Sequence, residues 1–571
     1  MANSNVTLFL FFLLFVGHGI VELQASRPVN NHLQTLQSSA PANQPYRTGF
    51  HFQPPKNWIN GVMVYKGVYH LFYQYNPNGA VVDGIKIWGH STSTDLVNWT
   101  PHEPAIYPSQ PYDINSCYSG SATILLGGRP AILYTGVDSQ NRQVQNLAFP
   151  KNLSDPYLRD WIKSDQNPVM QPTVENRINA SSFRDPTTAW LGPDSQWRVT
   201  IGSKVDQQGI AILYRSKDFV NWFQSETPLH SANGTGMWEC PDFYPVLVAG
   251  QNGVDTSLNG PFVKHVLKVS LDQTRHDLYT IGSYDSVKDI YRPDEGSVEG
   301  DSGLRYDYGK YYASKSFFDC VEKRRILTAW INESSSVADD VKKGWSGIHA
   351  IPRKIWLAES GKQLVQWPIA EIQKQRANHV SLANKLLEGG SVIEVSGVTA
   401  AQADVEVSFV IKDLENAEVL EPSWTDPRLL CSQKGASVKG SLGPFGLLVL
   451  ASDDLKENTA VFFRIFKSNN RYVVLMCSDQ SSSSLDQDND KTTYGAFLDL
   501  DIQHQKLSLR SLIDHSIVES FGGGGKACIT SRVYPTLAIN EAAHLYAFNN
   551  GTQAMNIAEL NAWSMNTADI S

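Results

Sequence analysis

Five two-stranded patterns in the first two thirds of the chain constrain its fold more than any other feature. Val62–Tyr65 and Val68–Tyr75 flank Lys66-Gly67, and Ala122–Leu126 and Ala131–Val137 flank Gly127-Gly128-Arg129-Pro130. Thr188–Leu191 and Trp197–Ile201 flank Gly192-Pro193-Asp194; Val266–Ser270 pairs with Leu278–Ser283, and Tyr311–Phe318 with Ile326–Ile331. Each joins β-branched and aromatic runs, which suit a pleated half-buried surface, through residues that tolerate tight turns. An isolated hairpin cannot bury its apolar faces. Hairpins recurring roughly every 45 to 80 residues must therefore pack on one another, and a radial β-propeller of a few blades does so. A generic sandwich is the competing arrangement, because strand counting alone does not close a ring.

Around Gln366-Trp367-Pro368 the character changes. Residues 369–388 read as a short helical connector, and Ser391 to Trp563 is again strand-rich, so 44–368 and 389–571 are expected to form two all-β domains, the second a sandwich. The polar stretch Ser481 to Lys491 reads as an exposed loop.

Of the 571 residues, 42% are hydrophobic, enough for a large core. The net charge of -9 and the lack of any basic run longer than Lys323-Arg324-Arg325 argue against nucleic acid, whose binding depends on clustered cations. The apolar stretch Val6 to Val21, followed by Leu23-Gln24-Ala25, reads as a secretory signal peptide over 1–25, with a leader to Asn43. Its core is too short, and too interrupted by Gly17-His18-Gly19, for a membrane anchor, so the protein is expected outside the cell and not in a membrane. Secretion gives meaning to sequons at Asn98, Asn152, Asn179, Asn233, Asn332 and Asn550, of which some are expected to carry glycans. Six cysteines are too few for a disulfide scaffold and none has zinc-ligand spacing. One bridge, Cys431 to Cys477, is expected, with no metal and no cofactor.

Acidic motifs stand just ahead of the hairpins: Arg184-Asp185-Pro186 before the third and Trp238-Glu239-Cys240-Pro241-Asp242 before the fourth. The first strand of a propeller blade lies nearest the axis, so carboxylates carried there converge on one funnel. That arrangement suits glycoside cleavage, in which a retaining enzyme needs two carboxyl groups about 5–5.5 Å apart. Cys240 reads as a packing neighbour, since no His lies nearby in sequence to activate it, and Trp190 and Trp197 read as core.

Phe52-Gln53-Pro54-Pro55-Lys56-Asn57-Trp58, Phe72-Tyr73-Gln74-Tyr75-Asn76-Pro77, Ser119-Gly120-Ser121-Ala122, Phe183-Arg184-Asp185-Pro186, Trp238-Glu239-Cys240-Pro241-Asp242 and Asp307-Tyr308-Gly309-Lys310 occur in this order. Together they resemble plant acid invertases and fructan exohydrolases of glycoside hydrolase family 32, from about Asn43 to Asn561-Ala562-Trp563-Ser564. The resemblance implies a five-bladed propeller followed by a β-sandwich, and release of terminal β-linked fructose from sucrose or fructans with retention. It makes Glu239 the general acid/base and Asp185 the transition-state stabiliser, with Arg184 orienting the carboxylates. Trp58, Asn60, Gln74, Tyr118 and Ser119 would line the fructose pocket. As an acid Glu239 must be protonated when substrate arrives, so burial beside Trp238 and neighbouring carboxylates are expected to raise its pKa.

One departure dominates. Relatives of this kind resemble Trp-Met/Ile-Asn-Asp-Pro-Asn-Gly where this chain reads Trp58-Ile59-Asn60-Gly61, so Asp-Pro-Asn, with the nucleophile Asp, is lacking. The triplet resembles the product of a tiny separate exon, and a skipped exon accounts for its loss. A shortened loop is expected rather than a slipped strand, which would turn Val62 and Val64 to the wrong face. Without the nucleophile the covalent intermediate cannot form, so this form is expected to be inactive. Two readings follow: a secreted, apoplastic or cell-wall β-fructofuranosidase in defective form, or a non-catalytic protein that binds fructosides or an invertase-inhibitor protein. Val82 stands where sucrose-cleaving members carry Trp, pointing to fructans; Asp272 with Arg275 resembles the couple associated with sucrose.

Overall fold

The computed structural model describes residues 44–54, 56–60, 63–469 and 471–570, and side chains of 57–64 are outside that set. The expected signal peptide and leader, and the Asn60–Gly61 junction, therefore lie outside the described residues.

Between Asn57 and Pro368 the strands form five successive sheets, largely antiparallel meanders. The second is typical: Ser116–Ile124, Pro130–Val137, Gln143–Pro150 and Trp161–Lys163 pair in chain order. Inner strands of neighbouring sheets touch one another in turn: Ser116–Ile124 meets Phe183–Arg184, and Trp238–Leu247 meets both Trp197–Val205 and Tyr311–Asp319. Met63–Tyr65 touches both Ser116–Ile124 and Tyr311–Asp319, which closes the ring. Parallel pairing of Asn57 with Trp345 and Trp58 with Ser346 ties its two ends. The arrangement is a β-propeller, not a generic sandwich.

The apolar residues explain the ring. Ala131, Leu133 and Leu147 of the second sheet pack against Phe183, Val199 and Ile201 of the third, and Trp190, Ala211 and Leu213 of the third against Phe243 and Leu267 of the fourth. Each such side chain contributes about 1.5–3 kcal/mol only when both neighbouring sheets cover it, so the sheets stack face to face around the axis.

Residues beyond Pro368 form two packed sheets. A six-stranded one runs in the order Arg376–Leu387, Met555–Met565, Gln402–Val410, Leu507–Asp514, Ile517–Gly522, Ala527–Arg532. A seven-stranded one faces it across a core containing Val405, Val407, Leu447, Phe463, Leu509 and Leu560. The expected helical connector is helical only at its start: Ala370–Gln375 is a six-residue 3-10 helix, and Arg376–Leu387 is a twelve-residue edge strand paired with Met555–Met565. The remote partner strand overrides a locally helix-compatible sequence. Cys431, on the helix Pro427–Gln433, is bridged to Cys477 as expected.

Buried charges join the propeller to the sandwich. Asp514 accepts the backbone N–H groups of Gly49, Phe50 and His51 at 2.6, 2.8 and 3.0 Å. The His51 ring bridges Asp514 and Glu519 at 2.8 and 3.0 Å, and Glu519 also binds Arg353 of the fifth sheet at 2.5 Å. Arg353 in turn pairs with Asp307, which accepts the Thr530 N–H. Every side chain in this seam is buried, so each charge must be paired to be tolerated.

Candidate active site

Glu239 is the second residue of Trp238–Leu247, the leading strand of the fourth sheet, and Arg184 ends the short strand Phe183–Arg184 of the third. The acidic motifs stand ahead of the third and fourth hairpins as expected, Glu239 on a leading strand and Asp185 directly after one; Val263–Leu271 and His276–Asp285 are the middle strands of the fourth sheet. Both motifs contain a left-handed residue before a proline, Asp185 (φ 67°) and Cys240 (φ 44°), and a third left-handed residue, Ala313 (φ 54°), lies in Tyr311–Asp319. Register shifts between Glu239 and Asp242, and between Tyr312 and Lys315, mark these as bulges. A bulge adds a residue to one strand and re-aims its side chains, here carrying Glu239 and Tyr312 towards a common pocket. Non-glycine residues in this region are strained, and the surroundings must hold them.

The pocket has a volume of about 530 Å³ and includes Gln74, Tyr118, Ser119, Arg184, Asp185 and Glu239 in its wall. Six of the residues expected at the site are therefore brought together. Asp272 stands at its edge, 3.8 Å from Arg184 and 3.3 Å from Arg275. Trp58 and Asn60 lie on the strand Asn57–Asn60, where Asn60 pairs with Gln74, but their side chains are outside the described set. Gln74 donates to the Ser119 hydroxyl at 2.9 Å, which presets the amide and hydroxyl for a polyhydroxylated ligand. Val82 is half exposed in the pocket wall. An axial channel of about 470 Å³ shares Gln74, Ser119, Cys240 and Ala313 with the pocket.

Glu239 is gripped from two sides. Arg184 donates to its Oε1 from Nε at 3.1 Å and Nη2 at 2.8 Å. The Tyr312 hydroxyl donates to Oε2, and Arg275 approaches the same oxygen at 3.4 Å with its guanidinium over the Tyr312 ring. Burial alone would raise the Glu239 pKa, but the Arg184 charge, the Tyr312 hydrogen bond and Arg275 hold it below the ordinary carboxylate range. The expected upward shift is thus reversed. The donors prefer the charged form and outweigh burial. Asp185 goes the other way: burial raises its pKa against the pull of Arg184, and the nearby Glu239 charge adds to the rise. Its Oδ2 accepts the Cys240 N–H at 2.9 Å, so one motif braces the other.

The Cys240 thiol lies 3.5 Å from the same Asp185 oxygen, and burial pushes its pKa far up, as befits a packing group and not a nucleophile. Trp190 and Trp197 are buried. Tyr312 and Gln143 escaped the sequence reading: Tyr312 looks like a core aromatic, and only its place two residues after the Asp307–Lys310 motif hinted at more. Gln143 binds the Phe183 N–H and Arg184 Nη1 at 2.9 and 3.3 Å, fixing the guanidinium from behind. Among the described residues no group of His, Cys, Asp and Glu could hold a metal ion.

A buried acid held by an arginine, a second carboxylate on the neighbouring strand and a pocket of amides and hydroxyls form the kind of site that cleaves glycosides. Comparison with known proteins agrees. Residues 51–368 match the N-terminal domain of glycosyl hydrolases family 32, and 369–564 match the C-terminal domain. The chain is 63% identical over 580 residues to "Beta-fructofuranosidase, insoluble isoenzyme CWINV1" of Arabidopsis thaliana, covering 100% of this chain and 99% of that one. It is 60% identical over 533 residues to the fructan 6-exohydrolase of Beta vulgaris, covering 92% and 88%. The crystal structure of fructan 1-exohydrolase IIa from Cichorium intybus superposes with a TM-score of 0.90 at 55% identity, covering 92% of this chain and 99% of that one. A variant of that enzyme was solved in complex with 1-kestose. With both domain models matched end to end on a propeller and sandwich that carry this site, the chain belongs to glycosyl hydrolases family 32.

Proposed function

We propose that the site is built to release terminal β-D-fructose from sucrose or fructans with retention, and that the chain as written binds such fructosides without cleaving them. The observation that carries the reading is the Glu239 carboxyl, held by Arg184 and Tyr312 beside the buried Asp185 at the mouth of a polar pocket. Glu239, in the protonated form that acid favours, protonates the leaving oxygen, and Asp185 steadies fructose hydroxyls as positive charge develops on the ring. Neither attacks the anomeric carbon: Glu239 is the acid and Asp185 holds fructose hydroxyls, with its Oδ2 braced by the Cys240 N–H. Asp83, the other described carboxylate of the pocket wall, is exposed. The attacking carboxylate belongs to the Asp-Pro-Asn that Asn60-Gly61 lacks.

The names of the relatives support fructosides as ligands, and the "cell wall" and "insoluble" labels they carry support an extracellular site of action. The 1-kestose complex of the chicory variant supports a short fructan as probe. Purified chain should bind 1-kestose yet release no fructose beyond a Glu239→Gln control. Inserting Asp-Pro-Asn between Asn60 and Gly61 should restore release. Turnover by the chain as written above that control would refute the reading, as would an inserted form that folds and stays inert.

A further inference from the structure

Three left-handed residues, Asp185, Cys240 and Ala313, stand beside the catalytic pocket, the last two at bulges, and the carbonyl oxygens next to them need donors. Two lysines supply them. Lys315, on Tyr311–Asp319, donates to the Pro241 carbonyl at 2.8 Å and to the Pro186 carbonyl at 3.4 Å. Lys268, on Val263–Leu271, donates to the carbonyls of Cys240 at 3.1 Å and Ser314 at 2.6 Å and pairs with Asp277 at 3.3 Å. The two differ in one respect: among the described residues Lys315 makes no ion pair within 4.0 Å. Lys315 is half-buried, and an ammonium partly withdrawn from water without a paired carboxylate is costly, so desolvation lowers its pKa. Its charge is directed at two backbone oxygens. Those oxygens belong to the residues that follow the left-handed Asp185 and Cys240, one in each catalytic motif.

We propose that Lys315 is a positioning residue that fixes the distance between Asp185 and Glu239 by holding the Pro186 and Pro241 carbonyls on one ammonium. The proposal rests on the functional reading above for the roles of the two carboxylates, but the clamp itself is a matter of geometry. A proline offers no N–H for cross-strand pairing, so the two motifs cannot be locked by a ladder at this point. A point charge between two carbonyl dipoles does the same task, and the Cys240 N–H bond to Asp185 at 2.9 Å can form only while both motifs keep their relative place. A displacement of about 1 Å of a catalytic group can lower turnover about 100-fold.

The test is hydrogen exchange at the Cys240 amide in the chain as it exists. In Lys315→Met that amide should exchange at least tenfold faster, while amides of Leu509 and Val461 in the sandwich keep their protection; Lys315→Arg should recover most of the loss. In the form with Asp-Pro-Asn inserted, Lys315→Met should lower kcat by about 100-fold with KM within about threefold. Unchanged Cys240 exchange in a folded Lys315→Met protein would overturn the proposal, and so would an equal loss of protection across the whole chain. Should Lys315→Met not fold, Lys315→Arg decides alone: Cys240 protection and kcat close to the parent's support the clamp, and their loss in a folded Lys315→Arg protein refutes it. Fast Cys240 exchange with no 1-kestose binding by the parent would uphold the clamp and sink the functional reading instead.

Discussion

Replacing Tyr312 with Phe isolates one of the forces acting on Glu239. The ring survives, with its contact to the Arg275 guanidinium, and only the hydroxyl that donates to Oε2 is lost. A hydrogen bond to a charged group contributes about 1.5–3 kcal/mol. At 1.36 kcal/mol per unit this is about 1–2 pKa units, and the sign is upward because the bond favours the ionised carboxylate. Glu239 is only 16% exposed, so solvent screening removes little of this; Arg275, at 56%, is screened and offsets little of the loss. In the form with Asp-Pro-Asn inserted, the basic limb of kcat/KM against pH reports ionisation of the acid and should move up by about 1–2 units in Tyr312→Phe. Stability should respond in the opposite sense. A depressed Glu239 pKa stabilises the fold above the ordinary carboxylate value and ceases to do so as pH falls through the folded value. The variant should therefore be less stable than the parent at neutral pH, with the gap closing in acid. A basic limb that stays in place or moves down would refute the idea that Tyr312 tunes this acid.

Burial holds the His70 ring down to about 4, so the folded chain resists its protonation, and stability present above the ordinary 6.5 should fall by about 3 kcal/mol as pH drops to about 4. Urea midpoints of His70→Phe should lose that part of the pH dependence; a slope equal to the parent's would contradict it. Removing the Cys431–Cys477 bridge, whose cysteines are 46 residues apart, with the pair Cys431→Ala and Cys477→Ala should destabilise the sandwich by about 2–4 kcal/mol in denaturant unfolding. Val82 is 50% exposed in the pocket wall, so Val82→Trp in the inserted form should shift the kcat/KM ratio towards sucrose over a short levan by roughly 5- to 30-fold, for about 1–2 kcal/mol of added ring contact. An unchanged ratio would place Val82 outside the leaving-sugar subsite.

The hairpins were legible because strand periodicity and turn residues are local, and the strands built on Val68–Tyr75, Ala131–Val137 and Tyr311–Phe318 lie where those signals put them. The 376–387 segment was misread because its pairing partner lies at Met555–Met565, out of reach of any local window. At the site, the motif carboxylates could be named from the sequence, but the charge state of Glu239 could not. It depends on Tyr312 and Arg275, which approach from another sheet and another turn, and a window around Glu239 sees only Trp238 and burial. Lys315 is invisible for the same reason. Its partners are backbone oxygens, which have no sequence signature, on the prolines that follow left-handed Asp185 and Cys240.

The buried charges between the two domains have a consequence for how the molecule can be cut. Glu519 holds His51 through one oxygen and Arg353 through the other, so the first and last stretches of the circular domain are fastened to a single side chain of the domain that follows it. The C-terminal half therefore acts as the buckle of a belt. A fragment ending at Pro368 would keep every strand of the ring yet leave His51 with neither of its carboxylates and Arg353 with Asp307 alone, and the ends would be free to part. Division of the chain at the family's own domain boundary should thus yield two pieces that regain a shape only on remixing, and domain exchange between relatives should succeed only when the donor brings both Asp514 and Glu519.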